Sequence, residues 1–105
     1  VIKKKNLKLK IEFFFYADLE VKAVNLAIDL SNRGCDVYPL DHTSSDNSKW
    51  LICGLTNRMS MKKKQLDQWT KVMCKLANDH NCLFDGWGTL IDQNHGKIKN
   101  HNWRL

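Results

Sequence analysis

Leu7-Lys8-Leu9-Lys10-Ile11-Glu12-Phe13-Phe14-Phe15-Tyr16, with the Ala17-Asp18 step that ends it, is the stretch that decides the fold. Leu7, Leu9, Ile11, Phe13 and Phe15 alternate with Lys8, Lys10, Glu12, Phe14 and Tyr16. That period of two predicts a strand with one buried face. Beyond Asp18 the period changes. Asp18 is a good N-cap, and Glu20 adds negative charge to the first turn. Val21, Val24, Ala27, Ile28 and Leu30 then fall at helical spacing, and Arg33-Gly34 offers a C′ glycine. A helix is predicted over about residues 19–33.

Working outward, Val37-Tyr38-Pro39-Leu40 reads as a short strand whose proline suits an edge, because it has no N–H to give a ladder. Residues 41–48 form a polar loop, and Trp50 to Leu55 reads as a buried strand. Ser60 can cap a second helix, whose stripe is Leu66, Trp69, Val72, Met73, Leu76 and Ala77. Lys62, Lys63 and Lys64 sit in its first turn, where the helix dipole disfavours cations. Leu83 to Ile91 is the last strand, and Gly86 and Gly88 within it indicate a bulge. The order strand-helix-strand-strand-helix-strand predicts an α+β, ferredoxin-like βαββαβ sandwich, a four-stranded antiparallel sheet with two helices on one face. The domain is expected to span 1–92, with 93–105 a polar, basic C-terminal tail. Leu7, Leu9, Ile11, Phe13, Phe15, Val24, Ile28, Leu51, Cys53, Leu66, Trp69, Met73 and Leu76 are expected to share its core.

The chain has 105 residues and a net charge of +6. The charge is unevenly placed. Lys3, Lys4, Lys5, Lys8 and Lys10 open the chain, and Lys97, Lys99 and Arg104 close it, giving +8. Residues 11–96 carry nine bases against eleven acids, and within them 12–46 hold seven acids against Lys22 and Arg33. Basic termini thus flank a slightly acidic body, which weakens the nucleic-acid reading that the net charge invites. No apolar run approaches the length of a membrane span, and none reads as a signal peptide. A cytoplasmic location is expected.

The four cysteines, Cys35, Cys53, Cys74 and Cys82, show no CxxC pair and no disulfide framework, as in a reducing compartment. Cys74, His80 and Cys82 are the one tempting zinc trio, at a spacing that matches no familiar module. There is no GxSxG, no phosphate-cradling glycine loop and no HExxH. His42, His80, His95 and His101 are more simply surface residues than general bases. No catalytic residue, metal or cofactor is expected. The chain reads as a non-enzyme.

Four strings, in order, resemble the RraB family of bacterial ribonuclease E regulators. They are Phe13-Phe14-Phe15-Tyr16-Ala17-Asp18, Arg33-Gly34 before Cys35-Asp36-Val37, Trp50-Leu51-Ile52-Cys53, and Phe84-Asp85-Gly86-Trp87-Gly88-Thr89. The last is the most specific, since Asp-Gly-Trp, a small or acidic residue, then Thr is typical of the family's final strand. The resemblance spans about residues 11–92. It implies a ferredoxin-like domain that binds a nuclease and restrains its cleavage of selected RNAs without chemistry of its own. The chain departs from the family in being basic overall, through its ends.

A protein partner, a nuclease or nuclease toxin, is therefore expected to meet the acidic surface of the first helix through Glu20, Asp29 and Asp36. Trp87 is either an interface anchor or, more simply, packing for the second helix. An immunity protein neutralising a nuclease toxin would use the same charges. A different reading places single-stranded RNA on the open sheet face, with Phe14 and Tyr16 stacking bases beside Lys8 and Lys10. The basic aromatic string of RNA-recognition modules is absent.

Overall fold

The structure, a computed structural model, describes residues 7–43 and 49–89. The expectations for Lys3, Lys4 and Lys5, for loop residues 44–48, for the end of the last strand at 90–91 and for the tail at 93–105 lie outside the described residues.

The elements run β1 (Lys8–Leu9), β2 (Ile11–Ala17), α1 (Glu20–Asn32), β3 (Asp36–Val37), β4 (Asp41–His42), β5 (Trp50–Leu55), β6 (Met59–Ser60), α2 (Lys63–Asp79) and β7 (Leu83–Thr89). β2 is the centre of the main sheet, antiparallel to β5 on one side and to β7 on the other. β3 and β4 both pair with the far edge of β5. Pro39 lies between them, so one edge strand becomes two short ones. The resulting order, β3/β4-β5-β2-β7, is compatible with the ferredoxin-like sandwich.

The predicted first strand breaks at Lys10. Lys8 and Leu9 leave the main sheet and pair with Ser60 and Met59 as a two-stranded ribbon. Leu7, expected in the core, is half exposed. The core lies on one side of the sheet. Phe13, Phe15 and Ile52 meet Ala23, Leu26 and Leu30 of α1 and Met73, Leu76 and Ala77 of α2 in one cluster, so both helices cover the same face.

Two expectations about which side chains point inward are corrected. In β5 it is Ile52 and Gly54 that are buried, while Leu51 and Cys53 are half-buried on the opposite face. The pairing dictates this: Phe15 faces Ile52 and Phe13 faces Gly54, whereas Phe14 faces Cys53 and Tyr16 faces Leu51. Directly paired residues share a face. In α1, Val24 and Ile28 are exposed, and Ala23, Leu26 and Leu30 occupy the core positions.

Gly54 makes the closest approach. A Cβ there would overlap the Asp36 carbonyl oxygen and come within 2.9 Å of Phe13 Cζ. β3, β5 and β2 can lie together only because that side chain is missing.

The helix ends follow local chemistry. Asp18 does not cap α1; Leu19 holds the N-cap position without a side-chain bond, and Asp18 pairs with Lys22 at 2.9 Å instead. At the other end Gly34 takes φ +93°, the Cys35 N–H donates to the Leu30 carbonyl and the Gly34 N–H to the Ser31 carbonyl. This is a Schellman stop. α2 ends the same way on Asn81, at φ +54°. Its N-cap is Lys62, with Ser60 Oγ accepting from the Lys62 N–H just ahead of the helix. In β7, Phe14 faces Gly86 but Phe15 faces Phe84, so Asp85 is the extra residue of a bulge, with Gly86 at φ +118°.

The register makes contrasting demands on neighbouring residues. Leu26→Ala should cost about 2–5 kcal/mol by urea denaturation, whereas Ile28→Ala should change stability by no more than about 0.5 kcal/mol. Gly54→Ala should cost about 1–3 kcal/mol or more by overpacking. Equal losses at 26 and 28 would contradict the helix orientation.

Candidate functional site

α1 carries more apolar side chains than one buried face needs. Its inner stripe is Ala23, Leu26 and Leu30, with Ala27 half-buried beside them. A second stripe, Val21, Val24 and Ile28, runs along the outside at relative exposures of 60%, 38% and 53%. These positions are three and four residues apart and stand one above another on the helix surface. Leu19, also exposed, extends the patch towards the start of the helix.

Beside this ridge runs a groove of about 360 Å³. Its α1 wall is Val24, Ala27 and Ile28, and its other wall is Val37, Tyr38, Pro39 and Leu40. The edge of the sheet and the flank of the helix form it together.

The acids around this face fall into two groups. Asp18 is tied to Lys22, and Asp29 is tied twice, to Arg33 Nε at 3.0 Å and His80 Nε2 at 2.9 Å. The His80 and Arg33 bonds hold the Asp29 carboxyl below the usual carboxylate range. Its charge is therefore already met within the fold. Glu20, Asp36 and Asp41 form the other group, exposed and without an ion-pair partner among the described residues. Glu20 opens α1, while Asp36 and Asp41 bracket the Val37–Leu40 wall. Of the acids expected to meet a partner, Glu20 and Asp36 are thus outward and available, and Asp29 is engaged.

Trp87 is not on this face. It lies in β7 opposite Phe13 and packs edge-on against Trp69 of α2, ring centres 6.2 Å apart. Phe14 and Tyr16 are half-buried on the sheet face away from the helices. Lys8 does not join them, since it belongs to the β1–β6 ribbon. Between Lys10 and Phe14 on the strand sits Glu12, only 5% exposed and hydrogen-bonded by the Tyr38 hydroxyl. The RNA reading thus loses one lysine from its surface and gains a buried carboxyl.

Cys74 is exposed, His80 is committed to Asp29, and Cys82 Sγ lies 3.4 Å from the His80 carbonyl. Among the described residues no three His, Cys, Asp or Glu side chains converge as a metal site, and no helix is long and apolar enough to cross a membrane.

The residues that the sequence reading did not assign to the surface are Val24 and Ile28. A signal for them exists: seven of the ten residues from Val21 to Leu30 are apolar, and a helix with one buried face needs about three or four per two turns.

A family described as regulator of ribonuclease activity B matches residues 4–89. Two proteins bearing that description are similar to the chain. The one from Haemophilus influenzae is 26% identical over 68 residues, which is 64% of this chain and 44% of that protein. The one from Actinobacillus succinogenes is 26% identical over 72 residues, 68% of this chain and 51% of that protein. The chain therefore spans about half the length of the curated relatives it matches.

The buried Glu12 gives a pH signature. Burial pushes its carboxyl up, the Tyr38 hydrogen bond opposing, and Tyr38 is itself pushed up to about 12 by burial and the Glu12 charge. The folded protein holds the Glu12 proton more tightly than the unfolded chain. Stability from this group is full below the ordinary glutamate value and is lost as pH rises through the raised folded value. Glu12→Gln should therefore raise the urea midpoint at neutral pH, with the gain vanishing near about pH 4. A gain of the same size at both pH values would disprove the linkage. Alkylation offers a separate check on the thiols. Exposed Cys74 should react first and Cys53, half-buried with its pKa pushed up to about 11, last, as followed by mass spectrometry.

Proposed function

The chain belongs to the RraB family, the regulators of ribonuclease activity B, and from that premise we propose that it regulates a ribonuclease by binding it, without chemistry of its own. The observation that carries this reading is the α1 face, where exposed Val21, Val24 and Ile28 stand among Glu20, Asp36 and Asp41, acids with no ion-pair partner among the described residues. A patch of this kind is what a protein interface uses: apolar side chains for affinity, surplus charge for steering. A nuclease that handles RNA presents basic surface, and the carboxylates complement it. The target proposed is ribonuclease E, the enzyme that the resemblance points to, in the cytoplasm. A nuclease toxin would offer the same chemistry to the same face, so an immunity role uses this surface too.

The test is association of the full chain with purified ribonuclease E, followed by surface plasmon resonance at low and high salt. Glu20→Lys with Asp36→Lys should slow association about tenfold at low salt and much less at high salt, as electrostatic steering requires. Asp29 is left intact because it supports the α1–α2 contact through His80. A labelled single-stranded RNA serves as the rival ligand. If only RNA binds, and Phe14→Ala with Tyr16→Ala abolishes that binding, the protein-regulator reading is wrong.

A further inference from the structure

We propose that the groove between α1 and the Val37–Leu40 edge receives a short, positively charged amphipathic helix of the partner protein; this rests on the protein-binding reading above and specifies what is bound there.

Three features select that occupant. The first is the shape of the apolar surface. Val24 and Ile28 lie a helical turn apart on one wall, and Pro39 and Leu40 stand on the other. α1 is 13 residues long, about 20 Å. A second helix laid along it can place residues at i, i+3, i+4 and i+7 between the walls, which is the usual way an amphipathic helix enters a groove. The second is the backbone of the sheet edge. Strand addition needs a run of free N–H and C=O groups, and Pro39 has no N–H to offer. The edge is already broken there into β3 and β4. Helix docking needs no such ladder.

The third feature is charge. Glu20, Asp36 and Asp41 are the carboxylates bordering this surface that carry no ion pair among the described residues, while both basic groups of α1 and its cap, Lys22 and Arg33, are already paired with Asp18 and Asp29. An incoming helix therefore meets uncompensated negative charge at its flanks and no free cation of α1. Lysines or arginines flanking its apolar stripe are attracted, and a neutral or acidic helix gains nothing. That excludes an apolar stretch without charge as the preferred ligand.

Two arms test this on the full-length protein. In the first, Val24→Ser with Ile28→Ser is titrated against ribonuclease E. Both residues are exposed, so the urea midpoint should hold while affinity falls about tenfold, the loss expected from uncovering two apolar anchors. In the second, amide NMR follows titration with a synthetic leucine–lysine peptide patterned as an amphipathic helix of the length of α1, and with a control carrying glutamate for lysine. The lysine peptide should shift the amides of Val24, Ile28, Val37 and Leu40, and the control should not. Where the nuclease binds, the first arm decides: unchanged affinity in the variant overturns the groove while leaving the proposed function standing. Where the nuclease does not bind at all, the proposed function fails, and the peptide arm alone decides. Shifts confined to other surfaces, or equal shifts with both peptides, overturn the proposal. So does a dimer in sedimentation that the variant dissociates, which would make a second copy the occupant. Peptide affinity that rises when residues 97–105 are removed would assign the groove to the chain's own tail and overturn it likewise.

Discussion

The sheet depends on the close approach between Gly54 and its neighbours. Phe13 stands over Gly54 in the β2–β5 pairing, and the Asp36 carbonyl presses on the same spot from β3. No side chain fits there, so the edge strand can come near enough for Val37 to pair with Gly54 and for Tyr38 to donate to the Cys53 carbonyl at 2.9 Å. With that edge in place, the helix-side face presents Phe13, Phe15 and Ile52 as one apolar floor. α1 must turn Ala23, Leu26 and Leu30 onto it. The outward placing of Val21, Val24 and Ile28 is a consequence of that turn, because a helix has only one face to give. The groove beside α1 thus follows from a missing Cβ in the neighbouring sheet.

The same turn sorts the charges. Asp29 sits where α1 passes the end of α2, within reach of His80, and its depressed carboxyl ties the two helices together. Its neighbours one turn away in either direction have no such partner. Charges spent inside a fold contribute to stability but present little field to a partner, whereas exposed unpaired ones act at a distance set by the Debye length, about 8–10 Å in ordinary salt. Counting acids in the sequence overstates the usable charge of this face. Counting those without ion pairs gives the set that a partner meets.

Much of the fold was legible in the residues. The change from period two to helical spacing at Ala17–Leu19 placed β2 and α1, Gly34 marked the helix stop, and Gly86 marked the bulge. What was not legible has definite causes. Trp50-Leu51-Ile52-Cys53-Gly54-Leu55 is apolar at every side-chain-bearing position, so its own pattern does not say which alternate set points inward. Only the register against β2 does. α1 has the same ambiguity in helical form, with two stripes that each satisfy the spacing. Asp18 looked like a cap, but Lys22 four residues on competes for the same carboxylate. The Asp29–His80 contact joins residues 51 apart in sequence, and no local pattern announces it. The acidic character of the α1 surface was legible; which of its acids remain available was not.

Glu12 bears on the choice between the two faces of this molecule. It lies on the strand position that separates Lys10 from Phe14, on the sheet face where an RNA-binding reading needs a favourable field for phosphate. Its carboxyl is buried and kept there by the Tyr38 hydroxyl, with burial opposing its ionisation. A group in that state contributes negative charge or a protonated carboxyl, and neither attracts a phosphate backbone. Tyr38, by contrast, belongs to both faces: its hydroxyl reaches Glu12, and its residue lines the groove beside α1. The buried carboxyl that makes the open sheet face a poor host for RNA therefore also fixes a residue of the wall against which a protein partner would dock.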